Sequence, residues 1–256
     1  MDGNLRDYLQ SSLVCQYRAL DQHLVHLADP AAPEALHQTR IALRSLRSLL
    51  RPWRDQGEWL GSVDCIAAEL GRSTSPLRDR QVLIQELEER GLHYQAVSRA
   101  ESVATACRLL GSDHRYHLLL LAIISLEERL AAGGADYQLN PATLADYTDN
   151  LVRKLLKILR HPHQDLHNVR IEIKKLRYLY QAYYEHLGPS PELTRALKRA
   201  QAELGDWHDN LQWLLIAENE SDLHCCRDYW QTQIDVKAQR AQKRLKKLRK
   251  LLQLSL

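Results

Sequence analysis

Phenylalanine does not occur in this chain of 256 residues, and methionine occurs once. Leucine, tyrosine and tryptophan must then supply the large core side chains, within a hydrophobic content of 45% that is ordinary for a globular protein. Long apolar runs are missing as well. The longest, 118–124, is far too short to span a bilayer. The first twenty residues carry early acids and no uninterrupted apolar stretch, which argues against a secretory signal and for a soluble, cytoplasmic protein. The five cysteines are odd in number and lack metal-ligand spacing, and Cys225 and Cys226 are poorly placed to bridge each other, so reduced thiols are expected. No segment alternates apolar and polar residues with period two, so no strand is expected and the chain reads all-α. Net charge is only +3. A globally basic coat is excluded, and any anion site must come from charge concentrated locally.

Acids are absent from one stretch where they would be expected. Residues 37–54, HQTRIALRSLRSLLRPWR, contain no Asp or Glu. On a helix, at about 100° per residue, His37, Arg40, Arg44, Arg47 and Arg51 fall in one stripe, with Ala42, Leu46, Leu49 and Trp53 opposite. Solvated helix faces mix signs, because like charges three or four apart repel. Relief here must come from outside the helix, as an anion or as acids on another helix. The stripe would run for about 21 Å, long enough for an extended polyanion.

The pattern recurs at a constant offset of 130 in the numbering. His167, Arg170, Lys174, Leu176 and Arg177 answer to His37, Arg40, Arg44, Leu46 and Arg47. The same offset takes Asp79 to Asp209 and Leu77 to Trp207. Two motifs held in one register argue for a duplicated domain. Its halves would be 1–133 and 134–256, divided near Gly133-Gly134.

These residues resemble the CHAD family, the conserved-histidine α-helical domains, whose halves each carry a His followed by basic residues at +3, +7, +8 and +10 and, some forty residues on, a Leu-Gly-x-x-(Arg/Asn)-Asp turn. The chain offers H37xxR40xxxR44xxR47 and H167xxR170xxxK174K175xR177, with turns S75PLRD79 and L204GDWHD209. Ser45 replaces the +8 cation of the first half, Thr74-Ser75 replaces Leu-Gly, and His208 replaces Arg or Asn. The resemblance spans nearly the whole chain as a single domain. It implies antiparallel helical bundles with internal pseudo-twofold symmetry, and a basic central groove binding inorganic polyphosphate, in the cytoplasm or on polyphosphate granules. The groove would be lined by His37, Arg40, Arg44, Arg47, Arg51, His167, Arg170, Lys174, Lys175 and Arg177. Lys198, with Gln201, resembles the family's Lys-x-x-Gln element. Asp79 and Asp209 would each hold a basic residue of the motif helix in place.

Breakers divide the chain into expected helices at 5–27, a motif helix with Pro33 in its first turn and its end near Leu50, then 58–70, 76–90, 93–110 and 113–131. The second half reads 142–160, 165–187, 191–204, 206–218 and 221–254, with Gly205 separating two of these. The last ends in eight Lys/Arg between Lys237 and Lys250, either a solvated helix end or an attraction for RNA, anionic lipid or a polyanion's tail.

Catalysis, metal and cofactor find little support. His161, His163 and His167 lie close in sequence, but Pro162 interrupts the helix between the first two. The His208-Asp209 doublet occurs in metal-dependent phosphohydrolases, which need further ligands. No Walker loop, Gly-rich loop, Glu-x-Glu-x-Lys or paired catalytic carboxylates stand out. The reading is therefore a non-enzyme that binds polyphosphate, with other polyanions as further partners. RNA is the second candidate and a phosphohydrolase the third. RNA would call for aromatics beside the cations; Tyr178 stands near the second stripe, while Tyr180 points to its apolar side.

Overall fold

A computed structural model describes residues 5–29, 32–132, 139–161 and 163–255. Every regular element among them is helical. In order they are α1 (Leu5–Val25), α2 (Ala35–Leu50), α3 (Glu58–Ser73), α4 (Ser75–Glu89), α5 (His93–Gly111), α6 (His114–Ala132), α7 (Pro141–Arg160), α8 (Leu166–Ala182), α9 (Tyr184–Leu187), α10 (Pro191–Ala217) and α11 (Arg227–Gln253). Short 3-10 turns occupy Arg51–Trp53 and Ser221–Cys226. The chain divides into two compact units, Met1–Leu144 and Ala145–Leu256. The boundary expected at Gly133-Gly134 lies outside the described residues, as does Pro162.

In the first unit α1 packs on α2 and α6, and α3 packs on the same two helices, so the four close a ring. Its interior is aliphatic: Leu9 and Leu13 of α1, Leu36, Leu43 and Leu46 of α2, Leu60 and Val63 of α3, and Leu119 and Ile123 of α6 are all buried. Each such side chain contributes roughly 1.5–3 kcal/mol by leaving water. Helices α4 and α5 pair as a hairpin, turned by Gly91 in a left-handed conformation (φ +74°) that only glycine adopts without strain.

The second unit builds a similar core from four segments. Val152, Leu155 and Leu159 come from α7, and Val169, Ile173 and Leu176 from α8. Leu193, Leu197 and Leu204 come from the first half of α10, and Leu245, Leu248 and Leu252 from the end of α11. Trp213 and Trp230 meet at 5.8 Å where the remaining parts of α10 and α11 pair.

Several expected boundaries move. Gly205 does not divide a helix: α10 runs unbroken for 27 residues. One interior glycine costs about 1 kcal/mol, which the buried Leu193, Leu197, Ala200, Leu204 and Trp213 outweigh. The corresponding break in the first unit is caused by Pro76, whose ring lacks an N–H and crowds the carbonyl of Arg72. Asp206, 130 residues on from Pro76, imposes no such break. Gly71 lies inside α3, and Pro33 precedes α2 rather than opening it. Asp79 sits just past the first turn of α4. The 165–187 helix is interrupted at Tyr183 (φ −124°, ψ 38°), and the first turns of the 221–254 helix are 3-10. Pro52 behaves as expected, with α2 ending at Leu50.

Candidate functional site

Helix α2 buries one side and holds its cations half-buried on the other. Arg40 donates from Nη1 to the Gly71 carbonyl (2.9 Å) and Thr74 Oγ1 (2.6 Å), and from Nη2 to Ser75 Oγ (3.2 Å). These neutral oxygens fix the guanidinium without cancelling its charge. Burial and then Arg44 push the Arg40 pKa down, while Asp79 on α4 and Tyr116 support its proton. Arg44 Nε donates to the Arg40 carbonyl (3.1 Å), which lays it along the helix.

The far end of the stripe differs. Arg47 Nε donates to Asp64 Oδ1 at 2.9 Å, and Arg51, in the 3-10 turn after α2, brings its Nε to 3.9 Å from the same oxygen. Asp64 is buried on α3. Part of the relief that the stripe requires thus comes from an acid on a neighbouring helix. The basic stripes alone do not point to Asp64, yet it shares the apolar register of Leu60, Val63 and Ala67, where an acid calls for a partner.

His37, half-buried at the start of the stripe, has its pKa lowered by burial first and then by Arg78, with Arg44 and Arg40 adding and Glu34 opposing. Arg78 belongs to α4 and is steadied by Gln81 Oε1 (3.2 Å). It was not expected at the site. The offset of 130 could have found it, because Arg78 corresponds to His208.

In the second unit Asp165 caps α8, accepting the His167 N–H at 2.9 Å. The His167 ring lies 5.4 Å from that of His208 on α10. His208 is pushed down to about 4, by burial first and then by Arg170, His167 and Lys174. It is a neutral imidazole beside Arg170 and Lys174, and its buried Nδ1 has no hydrogen-bond partner among the described residues.

Lys175 turns inward. Its Nζ and that of Lys154 both donate to Glu172 Oε1 (2.8 and 3.0 Å). Glu172 is 2% exposed; burial opposes its charge, but the hydrogen bonds from Lys175 and Lys154 prevail and hold its carboxyl below the usual range. Arg177 donates its Nε to Gln201 Oε1 and covers the Tyr178 ring at 4.3 Å. Arg170 and Lys174 are half-buried on α8, Lys198 is exposed on α10, and Asp209 is half-buried beside His208. Among the described residues, no three His, Cys, Asp or Glu side chains gather to hold a metal, and the cysteines are free thiols. No described helix is long and apolar enough to cross a membrane.

The arrangement can do one thing well. It presents fixed N–H donors and positive charge to oxyanions, with few acids in between. The family model for the CHAD domain matches residues 14–218. The chain belongs to the CHAD domain family. A CHAD domain of the plant Ricinus communis, known from its crystal structure, shares the fold at a TM-score of 0.72 and 21% identity, over 97% of this chain and 91% of that one. No curated protein matches the chain. In this CHAD domain, Ser45 leaves the +8 position of α2 uncharged, whereas Lys175 at that position of α8 is paired with Glu172.

Proposed function

We propose that this CHAD domain binds inorganic polyphosphate along α2 and α8 without turning it over. The carrying observation is a positive cluster in each unit beside a half-buried imidazole: Arg78, Arg44 and Arg40 around His37, and Arg170 and Lys174 around His208, whose ring lies 5.4 Å from that of His167. Like charges gathered in one place repel, and a bound polyanion relieves that repulsion. Arg adds paired hydrogen bonds to phosphate oxygens, and Lys adds point charge. Holding ground-state phosphates tightly is not catalysis. In this reading the protein works in the cytoplasm, alongside polyphosphate granules.

Duplication belongs to the same proposal. Arg78 and His208 are related by the same offset as the stripes, and each adjoins the histidine that heads its stripe. Under that shift α3 and α4 both fall on α10, and α5 and α6 on α11. RNA is less well served. Arg177 covers one face of Tyr178 and Tyr180 is 7% exposed, so bases find little aromatic surface beside α8 on which to stack.

The test is competition for labelled long-chain polyphosphate by RNA, duplex DNA and heparin, with phosphate release followed in parallel. We expect polyphosphate to win by about tenfold per charge, equivalent to about 1.4 kcal/mol, with no release. Replacing Arg44, Lys174 and Arg177 together by Gln should weaken binding by at least that factor. Unchanged affinity in the triple variant would refute the site, and equal competition by every polyanion would reduce it to a generic basic surface.

A further inference from the structure

The end of α11 carries charge that polyphosphate binding along α2 and α8 leaves unused. Eight Lys and Arg lie between Lys237 and Lys250, and no acid follows Asp235. The segment lies beyond residues 14–218, which the family model matches. Lys237 pairs with Asp206 and Arg244 with Glu203. Lys246, Arg249 and Lys250 have no acidic partner among the described residues.

These three cations rim a recess of about 390 Å³. Leu159 and Leu245, both buried, line it together with Gln164 and Gln242. Gln164 Nε2 donates to the Leu159 carbonyl at 2.9 Å, which fixes the amide and leaves its own oxygen to accept. The Gln242 amide has no partner among the described residues. In the first unit, at the offset that relates the stripes, Tyr116, Leu119 and Leu120 stand where Lys246, Arg249 and Lys250 stand here. The cations therefore do not follow from the repeat. Nor does the helix dipole account for Lys246, which lies about two turns before the end of α11, because that effect fades within the last turn.

We propose that this recess binds a nucleoside polyphosphate. The volume falls within the range of small-molecule sites, about 300–1,000 Å³. Lys246, Arg249 and Lys250 would meet the phosphates, the two leucines would lie under the base or ribose, and the amides would meet the base edge. A bare inorganic chain gains nothing from an apolar lining or from the accepting oxygen of Gln164. An organic phosphate gains from both.

The experiment is calorimetric titration of the full chain with ATP and, separately, with pyrophosphate, repeated on Lys246→Gln/Arg249→Gln. Both positions reach solvent, so the fold should survive, and circular dichroism confirms that it does. ATP should bind about tenfold tighter than pyrophosphate, and the double variant should lose that binding while its polyphosphate affinity changes less than about twofold. ATP binding no tighter than pyrophosphate, or binding untouched by the substitutions, would overturn the proposal. Loss of ATP and polyphosphate binding together would make α11 part of the polyphosphate surface and overturn it equally.

Discussion

Asp64 and Glu172 decide how much of each basic stripe remains positive. Asp64 accepts from Arg47 and lies near Arg51; Glu172 accepts from Lys154 and Lys175. Removing one partner of a fully buried pair costs about 3–5 kcal/mol. The Arg47 side chain is 24% exposed, which softens the loss. Asp64→Asn should therefore cost about 2 kcal/mol, below the fully buried range. It should also strengthen polyphosphate binding, because two arginines lose their counter-charge. Urea unfolding and a binding titration on the same variant check both halves. His208 gives a pH signature. Its native pKa of about 4 lies below the ordinary 6.5. Between these values the unfolded chain takes a proton that the native one refuses, so stability is complete above pH 6.5 and falls as pH drops towards 4. His37, shifted in the same direction, adds to the slope. His208→Gln should flatten it in urea melts run across that range.

Among the elements, α10 shows what one proline does. Pro76 separates α3 from α4, while Asp206 lets one helix run through. A Cβ at Gly205 would meet nothing within 4 Å. Gly205→Ala should therefore stabilise the protein by about 0.5–1 kcal/mol, read as a higher urea midpoint with an unchanged slope. The helices themselves were legible from apolar periodicity. Their ends were less so, since a glycine reads as a break in sequence and is carried through where both sides of the helix are packed. Asp64 and Glu172 escape a reading of the sequence for a related reason. Periodicity assigns their positions to the core; Asp64 takes its cation from the neighbouring α2, whereas Glu172 takes one from α7 and one, Lys175, from its own helix three residues on.

Across the whole molecule, a net charge of +3 means that attraction must come from local clusters rather than from overall charge. Binding should weaken linearly in log affinity against log salt, by about 0.7 per phosphate neutralised if polyphosphate behaves as a single-stranded polyanion. The Arg44, Lys174 and Arg177 triple variant should lower that slope by about 2, measured across a salt series. A loss of affinity at constant slope would point to a damaged fold instead.

The sequence by itself determined the helical class, the family and the two basic stripes in one register. Each of these follows from spacing along the chain, which a helix converts directly into a face. Tertiary structure decided what surrounds each cation. It set Arg40 among neutral oxygens, Arg47 against Asp64, Lys175 against Glu172 and His208 beside His167. Those pairings join residues on different helices or depend on burial, and the free energy of a charge depends on what surrounds it in space.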